Sequence, residues 1–433
     1  MDRLELLKDD IERCVRCGTC RSICPVLRVS GREGGSARGK LTLIKAYLDG
    51  TIGLDEEYIK AIKECTLCMS CRDSCPNGVR TTDIIHAARV DVTEKQGLPL
   101  IASLFLKNII DSTTLMPMAM KLASRLQGAF FKDTLAETGL IARFSLPLIG
   151  QGRLVPQLAK TFFLELPEVR AFSPEGPENI GKAVKPTAAT TVAFYAGCGI
   201  NYLMPEVGVA SLDVLSRAGA KTVVPNGQVC CGMPLWSMGD SRAARTLAMK
   251  NIEAFEAVAC DYIVTSCATC TYGLKKMFKE ILSDADPQLR SRVEAFTSKV
   301  IDITALLAGK LRAAGMEGKT NAQGRRTTVT YHDPCHLNRG LGVRNEPREM
   351  LAKNKSLALK EMRFPCSCCG LGGGLSYSNY EMSMDVMKRK AESVRDSGAE
   401  VVATACPGCI VQLRDGLHRH GVKAEVKHVV ELL

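Results

Sequence analysis

The sequence predicts an α+β multidomain chain: a helical N-terminal domain, a helical connector, and two duplicated α/β domains. Three observations carry this. Eighteen of the 20 cysteines of the 433-residue chain collect in four blocks that form two matched pairs, leaving Cys260 and Cys366 outside. The second pair repeats at a nearly constant offset: 137 residues from Cys198 to Cys335, 138 from Cys230 to Cys368 and 139 from Cys270 to Cys409. Around those cysteines, short apolar runs alternate with helical stretches, the pattern of parallel α/β units. The boundaries follow as residues 1–95, 96–186, 187–310 and 311–433.

Length and composition narrow the class. A chain this long calls for two to four domains, and 46% hydrophobic with 24% charged residues is a globular balance. The start, Met1-Asp2-Arg3-Leu4-Glu5, shows no basic segment leading into an apolar one, so no signal peptide is expected. Disulfide scaffolds are also usually short. Metal-bound thiolates in a reducing cytoplasm are therefore expected. The net charge of +11 raises nucleic-acid binding, but the excess is spread along the chain and aromatics are only 5%, a poor supply for base stacking. The charge is read as a bias toward an acidic partner or a membrane surface, with no nucleic acid.

In the first domain the blocks are Cys14, Cys17, Cys20, Cys24-Pro25 and Cys65, Cys68, Cys71, Cys75-Pro76. Between them lie a Gly-rich loop, Gly31 to Gly39, and a helical stretch near Leu41 to Leu48. Gly34-Gly35-Ser36-Ala37-Arg38-Gly39-Lys40 imitates a phosphate-binding loop, yet Leu41 stands where the Mg²⁺-binding hydroxyl belongs and no strand precedes it. A nucleotide is not expected there.

The connector, about 98–165, carries Met, Leu, Ile and Phe with intermittent charges, as amphipathic helices do. Its longest apolar run, Leu98 to Leu106, is too short to span a bilayer. One reading buries an apolar face in the core; the other rests that face on a membrane or a partner. Pro167 to Pro186 reads as a linker.

Strand-like runs Thr191–Tyr195 and Thr328–Tyr331 lead into Cys198 and Cys335. Tyr262–Thr265 and Val401–Thr404 lead into Cys267-x-x-Cys270 and Cys406-x-x-Cys409, after helical patterns near Ala243–Ala259 and Glu381–Asp396. Val300–Ile303 and Val426–Val429 close each repeat, and a basic loop, about Gly309 to Arg326, joins them. The cysteines thus fall at the C-terminal ends of strands, where open α/β sheets present ligands.

Cys-x2-Cys-x2-Cys-x3-Cys-Pro is the bacterial ferredoxin run, whose fourth cysteine ligates the other cluster. That rule groups Cys14, Cys17, Cys20 with Cys75, and Cys65, Cys68, Cys71 with Cys24, as ligands of two [4Fe–4S] cubanes. Zinc also accepts four thiolates, but its modules use two spaced C-x-x-C pairs instead. The later cysteines, a lone Cys, then Cys-Cys-Gly, then C-x-x-C, resemble the cysteine-rich CCG domain. With two ferredoxin motifs followed by two CCG domains, the chain is similar over nearly its whole length to three families: the glycolate oxidase iron–sulfur subunits, the anaerobic glycerol-3-phosphate dehydrogenase iron–sulfur subunits, and the heterodisulfide reductase D subunits. Ser36-Ala37-Arg38-Gly39-Lys40 and His332-Asp333-Pro334-Cys335-His336-Leu337 add to the likeness.

The resemblance implies a noncubane [4Fe–4S] cluster on Cys198, Cys230, Cys231, Cys267 and Cys270, and a second on Cys335, Cys368, Cys369, Cys406 and Cys409, with one or both sites filled. His336, beside a ligand position, is a candidate proton donor, and His332 is read as a strand cap. Cys260 and Cys366 are read as spectators. No Gly-x-Gly-x-x-Gly joins a strand to a helix, and Gly370–Gly374 breaks that spacing, so flavin belongs on a partner. The resemblance therefore implies an iron–sulfur electron-transfer subunit. An FAD-containing dehydrogenase subunit would oxidise glycolate, D-lactate or glycerol 3-phosphate, with electrons passing to a quinone or another carrier. The alternative is catalytic disulfide reduction at a noncubane cluster. The expected location is the cytoplasm, with a peripheral seat at the inner face of the membrane where the acceptor is a quinone.

Overall fold

Two cysteine blocks break the N-terminal chain so often that only short helices fit between them. The longest in this computed structural model, which describes residues 3–97, 109–134, 139–144, 152–172, 190–311 and 325–433, are α1 (Ala37–Leu48) and α2 (Thr81–Gln96). Ser36 caps α1, its hydroxyl accepting from the Gly39 amide at 2.9 Å, one of the donors a first turn leaves unpaired. A Cβ on Gly39 would lie 2.0 Å from the Glu33 carbonyl oxygen, so only glycine fits. Buried Lys40 turns its ammonium back onto the carbonyls of Gly34 and Gly35, 3.0 Å from each. The phosphate-loop look-alike is a self-satisfied turn.

The connector holds α3 (Leu115–Phe130) and then a three-stranded antiparallel sheet, β1 (Phe131–Thr134), β2 (Gly139–Ala142) and β3 (Leu154–Val155). The sheet is an addition to the helical expectation; strands of two to four residues carry too little alternation to register as a pattern. No residue of α3 is buried, and Leu115, Met118, Leu122, Leu126 and Phe130 are 43–67% exposed. Burial of this apolar face in the core is therefore not what α3 does. The Leu98–Leu106 run and most of both loops, Pro167–Pro186 and Gly309–Arg326, lie outside the described residues. No described helix is long and apolar enough to cross a membrane.

The repeats are the same fold twice. Repeat one pairs β4 (Thr191–Phe194), β5 (Lys221–Val223), β6 (Tyr262–Thr265) and β7 (Val300–Asp302) in parallel, in the order β5-β4-β6-β7. Repeat two pairs β8 (Thr327–Tyr331), β9 (Leu357–Leu359), β10 (Val401–Thr404) and β11 (Glu425–His428) as β9-β8-β10-β11. Helices α4 (Ser241–Glu256) and α5 (Tyr380–Ser397) precede β6 and β10. Central strands are buried on both faces, as β10 is at every residue, which is why they read as continuous apolar runs. In each repeat the chain leaves its first strand for one edge and returns on the other side, so the switch point lies between β4 and β6, and between β8 and β10.

One helix face joins the three domains. His86, Arg89 and Thr93 recur on α2 at helical spacing. His86 stacks on Trp236 with centroids 3.7 Å apart and meets the Trp236 carbonyl at 2.7 Å; Thr93 donates to the Met238 carbonyl at 2.9 Å. Buried Arg89 donates to five carbonyls: Ile62 (3.1 Å), Lys63 (2.8 Å) and Cys65 (2.6 Å) of its own domain, Ser237 (2.7 Å) of repeat one and Gly373 (2.8 Å) of repeat two. That matches the five N–H donors of a guanidinium. The glycine run of repeat two packs against the same segment: a Cβ at Gly373 (φ +63°) would sit 1.9 Å from the Cys65 carbonyl oxygen, and one at Gly372 2.3 Å from that of Thr66.

Arg89→Ala should lower unfolding stability by about 3–5 kcal/mol, the scale of breaking a buried charged network. Gly373→Ala should destabilise as well, by opening the same seam. Anaerobic urea unfolding checks both; a loss under about 0.5 kcal/mol for Arg89→Ala would contradict the assignment.

Candidate metal centres

Both Cys-x2-Cys-x2-Cys loops curl in the same way. Arg16 (φ 56°) and Leu67 (φ 50°) precede the second cysteine, and Gly18 (φ 86°) and Met69 (φ 61°) follow it. Arg16, Leu67 and Met69 are the only non-glycine residues with positive φ among the described residues. Such conformations cost about 1–3 kcal/mol each and persist where the surroundings hold them. Cys14, Cys17, Cys20 and Cys75 line one cavity. Cys24, Cys65, Cys68 and Cys71 line a second, and Cys71 also borders the first. The fourth cysteine of each block lies with the other block's three.

In the repeats the cysteines gather at the switch points, where strand ends diverge and leave room for a ligand. In repeat one Cys198 and Cys230 have sulfurs 3.8 Å apart, Cys231 lies beside Cys230 and Cys270, and Cys267 beside Cys270. In repeat two Cys369 lies beside Cys368 and Cys409, Cys406 beside Cys409, and Cys335 faces Cys368. Left-handed Gly197 (φ +65°) is needed beside the first group, since a Cβ there would come within 3.0 Å of the Cys270 sulfur.

The four groups touch in series. Cys68 of the second N-terminal set packs against Cys368, and Arg339 fixes that seam by donating to the carbonyls of Cys68 (3.3 Å) and Cys366 (2.6 Å). Across the seam between repeats Cys267 lies beside Cys406. Thr269 Oγ1 stands 3.4 Å from the Cys406 sulfur and 3.1 Å from His336 Nδ1.

The electrostatics fit a cationic or cluster-bound occupant. Burial pushes the Cys24 thiol up to about 11 and Cys71 higher still; the neighbouring Cys368 thiol, then burial, drives Cys68 well up. The thiols of Cys230 and Cys270 hold Cys231 down to about 5, and Cys369 and Cys406 are held low by the thiols beside them. Within each group one thiol ionises at the expense of its neighbours, and a bound metal would let every sulfur of a set ionise together. Two buried ammonium groups assist: Lys40 beside Cys24 and Cys65, and Lys390 beside Cys369, its pKa brought down to about 8 by burial while it donates to the carbonyls of Phe364 (2.5 Å) and Pro365 (2.8 Å).

His336, half-buried and stacked on Tyr272 at 4.9 Å, is pushed by burial down to about 4. It is neutral at pH 7 and linked to Cys406 through Thr269. His332 follows the last residue of β8 and is 1% exposed, with its ring against Cys369 and Cys409. Cys366 donates to Asp333 Oδ2 at 3.3 Å and accepts from Asn338 at 3.4 Å, outside the sulfur groups, and Cys260 lies apart from them, half-buried. Sequence reading missed Lys40, Thr269, Arg339 and Lys390. Lys390 sits within a run of charges but three residues after Met387 and four before Val394, on the buried side of α5, a signal that helical periodicity carries.

If the N-terminal sets hold cubanes as grouped, Cys75→Ser should remove about 4 iron atoms and the same spectroscopic signal as Cys14→Ser, and Cys24→Ser should match Cys65→Ser. Anaerobic iron analysis with EPR checks this; Cys24→Ser pairing with Cys14→Ser would contradict the grouping.

Comparison with known proteins agrees with this layout. The 4Fe-4S dicluster domain family matches residues 10–79, and the cysteine-rich domain family matches residues 192–275 and 329–414. The chain is 30% identical to the "Probable glycolate oxidase iron-sulfur subunit" of Bacillus subtilis (strain 168) over 100% of this chain and 94% of that one. It is 25% identical to the D subunit of the dihydromethanophenazine:CoB–CoM heterodisulfide reductase of Methanosarcina acetivorans, over 98% and 93% of the two chains. The crystal structure of a hypothetical protein from Helicobacter pylori shares the fold at a TM-score of 0.51 and 10% identity, covering 99% of this chain and 74% of that one. With a dicluster domain, two cysteine-rich domains and an end-to-end likeness at 30% identity, the chain belongs to the family of iron–sulfur subunits that includes the glycolate oxidase subunit.

Proposed function

We propose that this chain is the electron-transfer subunit of a flavin-dependent dehydrogenase complex. A partner subunit carrying FAD oxidises a 2-hydroxy acid, glycolate or D-lactate, or glycerol 3-phosphate, and electrons pass through this chain toward a quinone or another carrier. The observation that carries the reading is the unbroken succession of thiol groups, joined at Cys68–Cys368 and Cys267–Cys406. The eight N-terminal cysteines would hold two [4Fe–4S] cubanes and the repeats one or two noncubane clusters, supplying the one-electron chemistry that side chains lack.

The contacts give an order that differs from chain order. The first N-terminal set adjoins the second, the second adjoins repeat two, and repeat two adjoins repeat one. Cys17 is exposed while Cys231, Cys267 and Cys270 are buried, so the first set is the proposed point of contact with an outside carrier. Within the run Gly370–Gly374, Gly372 and Gly373 are taken up by packing on Thr66 and Cys65, and Gly370 by packing on Ser383. His336, the candidate proton donor of the sequence, is held neutral by burial, so its proposed role is a hydrogen bond through Thr269 to Cys406 in place of proton donation. Work in the cytoplasm against the membrane's inner face suits a quinone acceptor.

A second reading has its own support. The two five-cysteine groups face each other across Cys267 and Cys406, a paired arrangement that suits reduction of a disulfide, as the heterodisulfide reductase relative's name describes. Anaerobic pull-down with the tagged chain decides between them. The proposal expects an FAD-containing dehydrogenase, whose substrate reduces the clusters of the complex. Disulfide turnover by the isolated chain, with no flavoprotein captured, would overturn it.

A further inference from the structure

Among the described residues, His332 stands out as a buried imidazole with neither ring nitrogen hydrogen-bonded. It is 1% exposed. Leaving a polar atom so stranded costs about 1–3 kcal/mol, and nothing else in its surroundings relieves it. The neighbouring carboxylate, Asp333, is already gripped by Arg348 through two bonds of 2.9 and 2.8 Å. The backbone of His332 is pinned at the end of β8, its amide donating to the Ala403 carbonyl at 2.9 Å and its carbonyl accepting from Thr404 at 3.0 Å. The ring direction is therefore set by the sheet. A ring nitrogen and the sulfurs of Cys369 and Cys409 all lie within 4.8 Å of one another, a triangle small enough to share one metal atom.

Repeat one supplies an internal control. The 137-residue offset from Cys198 to Cys335 places Tyr195 at the position of His332. Tyr195 is equally buried, but its hydroxyl is satisfied by the Val229 carbonyl at 2.6 Å. The fold tolerates a fully satisfied side chain here, so the stranded imidazole of repeat two is not a packing necessity.

We propose that His332 is a nitrogen ligand of the cluster held by the repeat-two cysteines, giving that site a mixed nitrogen–sulfur donor set while repeat one remains all sulfur. This rests on the reading that the repeat-two cysteines hold iron and sulfide. Imidazole suits iron, and a site buried enough to keep it neutral presents the form that ligates. Both repeats keep the same five cysteines, so His332 is a donor added to the thiolate set of repeat two, whereas repeat one has Tyr195 at that position.

The test uses the full-length protein, prepared anaerobically with ¹⁵N-labelled histidine, and pulsed EPR on each paramagnetic cluster state. Wild-type protein should show a strong, directly bonded histidine-nitrogen coupling that persists in His336→Gln and His428→Gln and disappears in His332→Gln. His332→Cys should retain the iron while losing the coupling. If His332→Gln fails to fold, the labelled wild type together with the other two variants still decides. Iron at both repeats with no strong histidine coupling, or with only the weak coupling of a hydrogen bond, overturns the proposal alone. About 8 iron atoms per chain, with none at the repeats, overturns it together with the reading beneath it.

Discussion

The guanidinium of Arg89 is the constraint on which the rest of this molecule depends. Its five donors reach five carbonyls spread over three domains. One of those carbonyls belongs to Cys65 and another to Gly373, so the group that docks the domains also fixes the second N-terminal sulfur set against repeat two. A lysine could not replace it, because a single ammonium offers three donors from one point and not a planar fork. The glycines at 372 and 373 allow the approach, since a Cβ at Gly373 would collide with the Cys65 carbonyl that Arg89 holds and one at Gly372 with the adjacent Thr66 carbonyl.

From that docking the sulfur contacts follow. Cys68 meets Cys368 because the domains are pressed together at Arg89 and Arg339, and Cys267 meets Cys406 because the two sheets face each other at the ends where both switch points lie. Gathering eighteen thiols this closely raises an electrostatic problem that protein groups alone leave unsolved. The structure answers it partly with buried cations, Lys40 and Lys390, and with thiols that share protons. The remainder is the work of the metal that such a set of donors would bind.

Much of this was legible in the sequence, for identifiable reasons. The cysteine spacings, the offsets of 137 to 139 and the central strands β4, β6, β8 and β10 could be read because buried parallel strands are short apolar runs with sharp ends. The edge strands Lys221–Val223 and Leu357–Leu359 could not, being three residues long with no matching residue pattern between the repeats, whereas the equally short Val300–Asp302 was marked by its likeness to Val426–Val429 and the Leu-Leu that follows each. Arg89 and Lys390 were invisible for another reason. A charged residue on a helix reads as solvated surface until the carbonyls that pair with it, far away in sequence, are brought to it. His332 could be seen as part of a motif, but not that its ring faces two sulfurs, since that depends on the direction in which β8 ends.

Four sulfur centres stand in one contact series, ordered by docking and not by position in the chain. Low-temperature EPR of the anaerobic, fully reduced protein tests it directly, because neighbouring paramagnetic clusters at this spacing broaden and split one another's signals. The expected result is an interacting spectrum in which the second N-terminal centre is coupled both to the first and to repeat two. A sum of sharp, independent cluster signals, or a protein that carries zinc in place of iron, would contradict it.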